Sequence, residues 1–192
     1  MHEERLAKAC SRGISIAQNE LYERYSDVLY NICFRYAQDN SEADDFFQES
    51  FMLILKKMKK FKYQGEGSLK AWLIRLTINS CISYLRHKKR KIELTNNDFE
   101  DIAEEEDSIF FPENKYDIVS QSNFTQEDLM FELQRLPEKF KVVFNLFVIE
   151  EYKHSDIAKM LDINEKTSKT RLWRAKQMLK QQLYEKCLLN HN

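Results

Sequence analysis

The residues best suited to chemistry in this 192-residue chain are four polar groups in one short stretch, Asp44, Asp45, Gln48 and Glu49. On a helix, Asp45 and Glu49 fall one turn apart on a single face. That spacing suits acid–base work, a metal, or a docking surface for basic groups. It also suits plain carboxylates near a helix N-terminus, where the dipole favours them. The rest of the chain offers an active site little. His2, His87, His154 and His191 are scattered, and neither a nucleophile–base spacing nor a phosphate-cradling glycine loop occurs. Cys10, Cys33, Cys81 and Cys187 lie far apart, without zinc-knuckle or redox spacing, and read as reduced, mostly buried thiols. The expectation is no enzyme, no metal and no cofactor.

A second concentration lies in Glu151–Lys180. Two amphipathic helices fit it. The first spans roughly Ser155 to Leu161, with Ile157, Ala158 and Leu161 on one face. Asp162-Ile163-Asn164 makes the corner, since Asp and Asn tolerate the left-handed backbone such a corner needs. Asn164 suits the N-cap of the second helix, which turns Leu172, Ala175 and Leu179 inward. Lys169, Thr170, Trp173, Arg174 and Lys176 then lie on or near its outer face. Residues 166–180 carry four Lys and two Arg and no acid. This is a helix-turn-helix pattern whose second helix is sized for a major groove and charged for phosphates. A solvated basic helix is the plainer alternative.

The net charge of −1 conceals a partition. Residues 92–123 hold ten acids and one base, so that strip carries −9 and the remainder of the chain +8. The strip has few apolar residues beyond Ile109-Phe110-Phe111 and Ile118-Val119, and reads as a flexible acidic linker. It separates two basic, helix-patterned parts, residues 1–91 and 124–187. Apolar content of 43% supports real cores, while three Gly and two Pro argue against a turn-rich β fold. The expected fold class is all-α, two small helical bundles joined by the linker. The opening MHEERLAKACSRG does not fit a signal peptide, and no apolar run approaches a membrane span. A cytoplasmic protein without membrane insertion is expected.

Within the first part, Ala17, Leu21, Tyr25, Val28, Leu29, Ile32 and Tyr36 mark one helix, broken at Gln38-Asp39-Asn40. Ser41 suits the cap of the next, with Ala43, Phe47, Phe51, Ile54 and Met58 stepping along its core face and Phe61 closing the run. Lys62–Gly67 reads as a loop. Ser68 suits the cap of a third helix with Trp72, Leu76, Ile82 and Leu85 as core candidates, ending in the basic run Arg86–Lys91. In the second part, Thr125 and Asp128 form a capping box, Phe124 is placed to staple to Leu129, and Pro137 is expected at the first helical position.

Ser41-Glu42-Ala43-Asp44-Asp45-Phe46-Phe47-Gln48-Glu49-Ser50-Phe51 resembles the acidic "DAEDLVQEVF" signature of bacterial sigma factors. Gly67-Ser68-Leu69-Lys70-Ala71-Trp72-Leu73-Ile74-Arg75-Leu76 resembles their "GSFRAWLYRI", followed by Asn79 and Tyr84-Leu85-Arg86. Leu136-Pro137-Glu138-Lys139 and Asp156-Ile157-Ala158 are similar to the start and the helix-turn-helix of their C-terminal domain. The order of these blocks resembles that of the small two-domain sigma-70 factors of the extracytoplasmic-function group, over residues 15–91 and 124–184.

The resemblance implies a protein that binds core RNA polymerase at the beta' clamp and beta flap and recognises two promoter elements. A region 2-like domain would melt the −10 element and a region 4-like domain would read the −35 element, on double- and single-stranded promoter DNA. Asp44, Asp45, Gln48 and Glu49 would dock on polymerase. Lys62, Tyr63, Gln64, Arg75, Asn79, Arg86, Lys88 and Lys89 would meet the −10 element, with Tyr63 in the loop that captures an unstacked base. Lys169, Thr170, Arg171, Trp173, Arg174 and Lys176 would meet the −35 element. The linker would run along the polymerase channel towards the RNA exit path. The family also admits an anti-sigma factor as partner.

Three departures from the family pattern stand out. Asp162 replaces the usual corner Gly, Lys153 stands where a Ser usually caps, and Ser168 follows Thr167 where Val is usual. Together they imply a loss of ~1–2 kcal/mol in the C-terminal part. They also admit a partner protein that helps to place it on DNA. A polymerase-independent helix-turn-helix regulator and a sigma-like adaptor remain as alternatives.

Overall fold

Two units follow one another along the chain, Met1–Lys91 and Ile92–Asn192. The computed structural model describes residues 2–95 and 124–190, without the side chains of Lys89, residues 91–95, Gln126 and residues 189–190. Of the expected linker, residues 92–123, residues 92–95 instead continue the last helix of the first part, and residues 96–123 lie outside the described residues. Among those described, all regular structure is helical, and no helix is long and apolar enough to cross a membrane.

The first unit contains α1 (Glu3–Ser11), α2 (Ser15–Tyr36), α3 (Asn40–Lys57) with a 3₁₀ turn at Met58–Lys60, and α4 (Ser68–Thr95). Helix α1 was not foreseen in the sequence. Its Leu6, Ala7 and Cys10 are buried, a one-turn apolar stripe, and α1 packs on α2 and the 3₁₀ turn. Burying Leu6 completely contributes about 2 kcal/mol. On α2 the expected face is buried except for Val28, which is 37% exposed.

Asp39, not Ser41, caps α3. Its extended backbone lets the carboxylate accept the Glu42 N–H at 2.8 Å, and Glu42 accepts the Gln38 N–H at 2.7 Å. The deepest line of α3 runs through Ala43, Phe46, Ser50 and Ile54. Phe47 and Phe51 are half-buried and lie edge-on to Tyr22 at 5.9 and 5.3 Å. Both lines begin at Ala43 and rejoin at Ile54, so periodicity alone does not separate them.

Ser68 closes the 61–67 loop instead of capping a helical N–H. Its hydroxyl donates to Gly65 O at 2.6 Å and accepts the Gln64 N–H at 3.2 Å. The core line of α4 is Leu69, Leu73, Ile78, Cys81, Ile82 and Leu85. Trp72 and Leu76 are only half-buried, and Trp72 packs on Phe61 at 5.3 Å. All four cysteines are buried free thiols, and Cys81 lies with its Sγ 3.9 Å from that of Cys33. That hydrogen bond, followed by burial, pushes the Cys81 thiol well up.

The second unit contains α5 (Gln126–Gln134), α6 (Glu138–Phe144) running into a wide π turn at Asn145–Ile149, α7 (His154–Leu161) and α8 (Glu165–Asn190). The capping box at Thr125 and Asp128 forms as expected. Leu129, expected to staple to Phe124, stays 39% exposed. Lys186 of α8 donates to Asp128 at 2.6 Å. That bond, with those from Thr125, pulls the Asp128 carboxyl down to about 2. Pro137 occupies the N-cap of α6 and not its first helical position, its ψ of 140° still being extended. Phe140, Val143, Phe144 and Leu146 supply the centre, against Ile157, Leu172, Ala175 and Leu179.

Candidate nucleic-acid interface

In the first unit, Asp44, Asp45, Gln48 and Glu49 are all exposed. They lie away from the Ala43–Ile54 core line. Burial first, and then the Asp45, Glu42 and Glu49 carboxylates, raise the phenol of Tyr84 on the neighbouring α4. Asp44, as a hydrogen-bond partner, adds to burial in raising Tyr30. Among the described residues no three His, Cys, Asp or Glu side chains gather to hold a metal.

On α4, Arg75, Asn79 and Arg86 are exposed, and their spacing of four and seven residues keeps them on one stripe. Lys88 does not join it. It falls on another side of the helix and donates to Glu42 at 2.6 Å, with its side chain 31% exposed. The Lys89 side chain lies outside the described residues. In the 61–67 loop, Lys62 and Gln64 are exposed and Tyr63 is half-buried. Gly65 and Gly67 take φ of 116° and 82°, values that only Gly adopts without strain. The Tyr63 ring lies edge-on to His2 at 6.0 Å.

In the second unit the corner forms as its residues require. Asp162 adopts φ 56° and ψ 49°, left-handed. Asn164 Oδ1 accepts the Thr167 N–H at 2.6 Å. Lys153 precedes α7 without a side-chain cap bond. Leu172, Ala175 and Leu179 face inward. Outward, Lys166, Lys169, Trp173 and Lys176 are exposed, with Thr170 and Arg174 half-buried on the flank. Trp173, 44% exposed, sits near the centre of that outer face. Arg171 is half-buried and lies round towards the core side. Lys169 pairs with Glu165 at 2.7 Å across an exposed helix turn, a contact weak enough in water for a phosphate to displace.

Ser168 offsets the loss of buried apolar contact that its replacement of Val implies. It is fully buried, and its hydroxyl is 2.9 Å from His154 Nδ1. The His154 ring stacks on Phe147 with centroids 4.3 Å apart. Burial and then Lys169 lower the His154 pKa from its ordinary 6.5; Glu165 opposes them and Lys176 adds to the lowering. The triad Phe147, His154 and Ser168 thus ties the π turn after α6, the start of α7 and the first turn of α8 together. Nothing local in the sequence marks it, because its members are contributed by three separate elements.

The description Sigma-70 region 2 matches residues 21–91, and Sigma-70, region 4 matches residues 126–179. The chain is 28% identical over 184 residues to the extracytoplasmic-function RNA polymerase sigma factor SigW of Bacillus subtilis, covering 92% of this chain and 94% of that one. It is 27% identical over 186 residues to the RNA polymerase sigma-E factor of Haemophilus influenzae, with 93% of each covered. A solved complex of the sigma factor RpoE with the anti-sigma factor NepR, from Bartonella quintana, is similar at a TM-score of 0.49 and 20% identity, over 87% of this chain and 96% of that one. Sigma factors are non-enzymatic transcription factors that bind core RNA polymerase and promoter DNA. With both regions present in order, this chain belongs to the extracytoplasmic-function group of the sigma-70 family and is a promoter-recognising sigma factor for transcription initiation.

Proposed function

We propose that Asp44, Asp45, Gln48 and Glu49 of α3 dock this sigma factor on the beta' clamp of core polymerase, with the second unit against the beta flap. The 61–67 loop, with Arg75, Asn79 and Arg86 of α4, then meets the −10 element. Tyr63 stacks on an unstacked base and Asn79 pairs with a base edge. Lys62, Gln64 and Lys89 serve the same strand, while Lys88 is engaged by Glu42. In the second unit, Thr170, Trp173 and Arg174 read the −35 element. Lys169 and Lys176 hold phosphates, and Arg171 supports the helix from its inner flank.

The observation that carries this reading is the outward basic face of α8, centred on Trp173, behind a corner that closes on Asp162 and Asn164. The formed corner supports direct contact with DNA, and a partner protein that helps to place the second unit there is a further proposal. An anti-sigma factor remains a partner to be sought by affinity capture on the purified protein. Acting with polymerase on chromosomal promoters places the work in the cytoplasm.

The test is transcription in vitro with purified core polymerase and mapped start sites. Arg174→Ala should flatten base preference at one or two −35 positions, by ~1–3 kcal/mol of discrimination. Lys176→Ala should weaken all sequences alike and lower the salt slope by about one unit. A −35 scan without preferred bases, unchanged by Arg174→Ala, would refute direct readout.

A further inference from the structure

Helix α1 lies outside the matched region 2, yet it reaches the 61–67 loop. Glu3 Oε2 accepts the Gly67 N–H at 2.9 Å, and Glu3 Oε1 accepts the hydroxyl of buried Tyr25 at 3.3 Å. One carboxylate thus joins α1, α2 and the hinge between loop and α4. The preceding residue, His2, meets the Tyr63 ring. The loop needs such a tie. Its two left-handed glycines leave the backbone many alternatives, and Ser68 restrains only the stretch from Gln64 to Gly65.

From this geometry we propose that Glu3 is a positioning residue for −10 recognition: by holding Gly67 and the first turn of α1 against the loop, it sets the pose of Tyr63 towards the unstacked base. The carboxylates of Glu3, Glu4 and Glu66 add to burial in raising the Tyr63 phenol. This inference rests on the assignment of Tyr63 to the −10 element.

The experiment uses the full chain with core polymerase at a promoter mapped with the purified protein. It measures permanganate reactivity of the −10 thymines, base preference across that element, and affinity for core. Glu3→Ala should cut open complex about ten-fold, the effect of one lost charge-assisted hydrogen bond, and alter the order of tolerated bases, at unchanged core affinity. Glu3→Gln should retain most activity, since its amide oxygen still accepts the Gly67 N–H. In the Tyr63→Ala background, Glu3→Ala should add nothing. A defective Tyr63→Ala beside a normal Glu3→Ala overturns the role of Glu3 alone. Effects that multiply in the double variant, or a parallel loss of core affinity, overturn it too, marking Glu3 as a fold residue only. Normal opening in both single variants overturns the loop assignment and the inference with it.

Discussion

The contact between His154 and Ser168 should show an asymmetry that exposure dictates. Ser168 is fully buried and His154 only half-buried. Ser168→Ala leaves a histidine nitrogen that water can reach, and Ala is the better helix former by ~0.5 kcal/mol, so the expected net cost is ~0.5–1 kcal/mol. His154→Ala strands a buried hydroxyl, at ~1–3 kcal/mol, and removes the stack on Phe147, at ~0.5–1.5 kcal/mol. Its expected cost is therefore ~2–4 kcal/mol. In the Ser168→Ala background only the stack remains to be lost.

Urea unfolding can read this one unit at a time. The two tryptophans fall in different units, Trp72 in the first and Trp173 in the second, so a Trp72→Phe background isolates the second. Equal costs for His154→Ala with and without Ser168 would refute the coupling. The pH dependence gives a second check. The folded pKa of His154 is below its ordinary 6.5, so the unfolded chain binds the proton more readily. Stability should be complete above about 6.5, fall as pH drops below it, and level off beneath the folded pKa. His154→Ala should remove that slope. Asp128, with its carboxyl down at about 2 against an ordinary 3.8, acts in a separate and more acidic window.

Asp45→Arg combined with Glu49→Arg should lose ~2–5 kcal/mol of affinity for core polymerase, with the helical signal of the first unit unchanged; an unaltered pull-down titration would remove the docking assignment. Asp162→Gly should stabilise the second unit by ~0.5–1 kcal/mol, because a left-handed residue with a Cβ is strained where Gly is not. Asn79→Ala should reduce permanganate reactivity in the −10 element while leaving core affinity alone, and equal reactivity would exclude it from strand contact.

The parts legible in the sequence are those whose cause is local. Asp162, Asn164 and the Leu172–Ala175–Leu179 spacing carry the helix-turn-helix within a few residues of one another. Thr125 and Asp128 do the same for the start of α5. What stayed hidden depends on contacts far apart in the chain. Glu3 reads as one more surface acid until Gly67, 64 residues on, is seen beside it. Cys33 and Cys81 look unrelated at a separation of 48. Phe46 and Phe47 are adjacent aromatics, and only the packing of α2 and α4 decides which is buried. Ser168 looked like a lost methyl group because its partner belongs to another helix. Lys88 carried the right charge in the right run, and α3 claimed it.

Helix α8 is a single rod of 26 residues, about 39 Å long at 1.5 Å per residue. Its basic outer face begins at Lys166, and Lys186 bonds to Asp128 20 residues later, roughly 30 Å away. That makes α8 a lever whose fulcrum is the start of α5. A swing of about 5° there would carry the far end by ~2.6 Å, most of the ~3.4 Å between neighbouring bases on a strand. Under the proposed −35 readout, whatever leans on α5 thereby gains mechanical advantage over which base pair the other end of the rod would address.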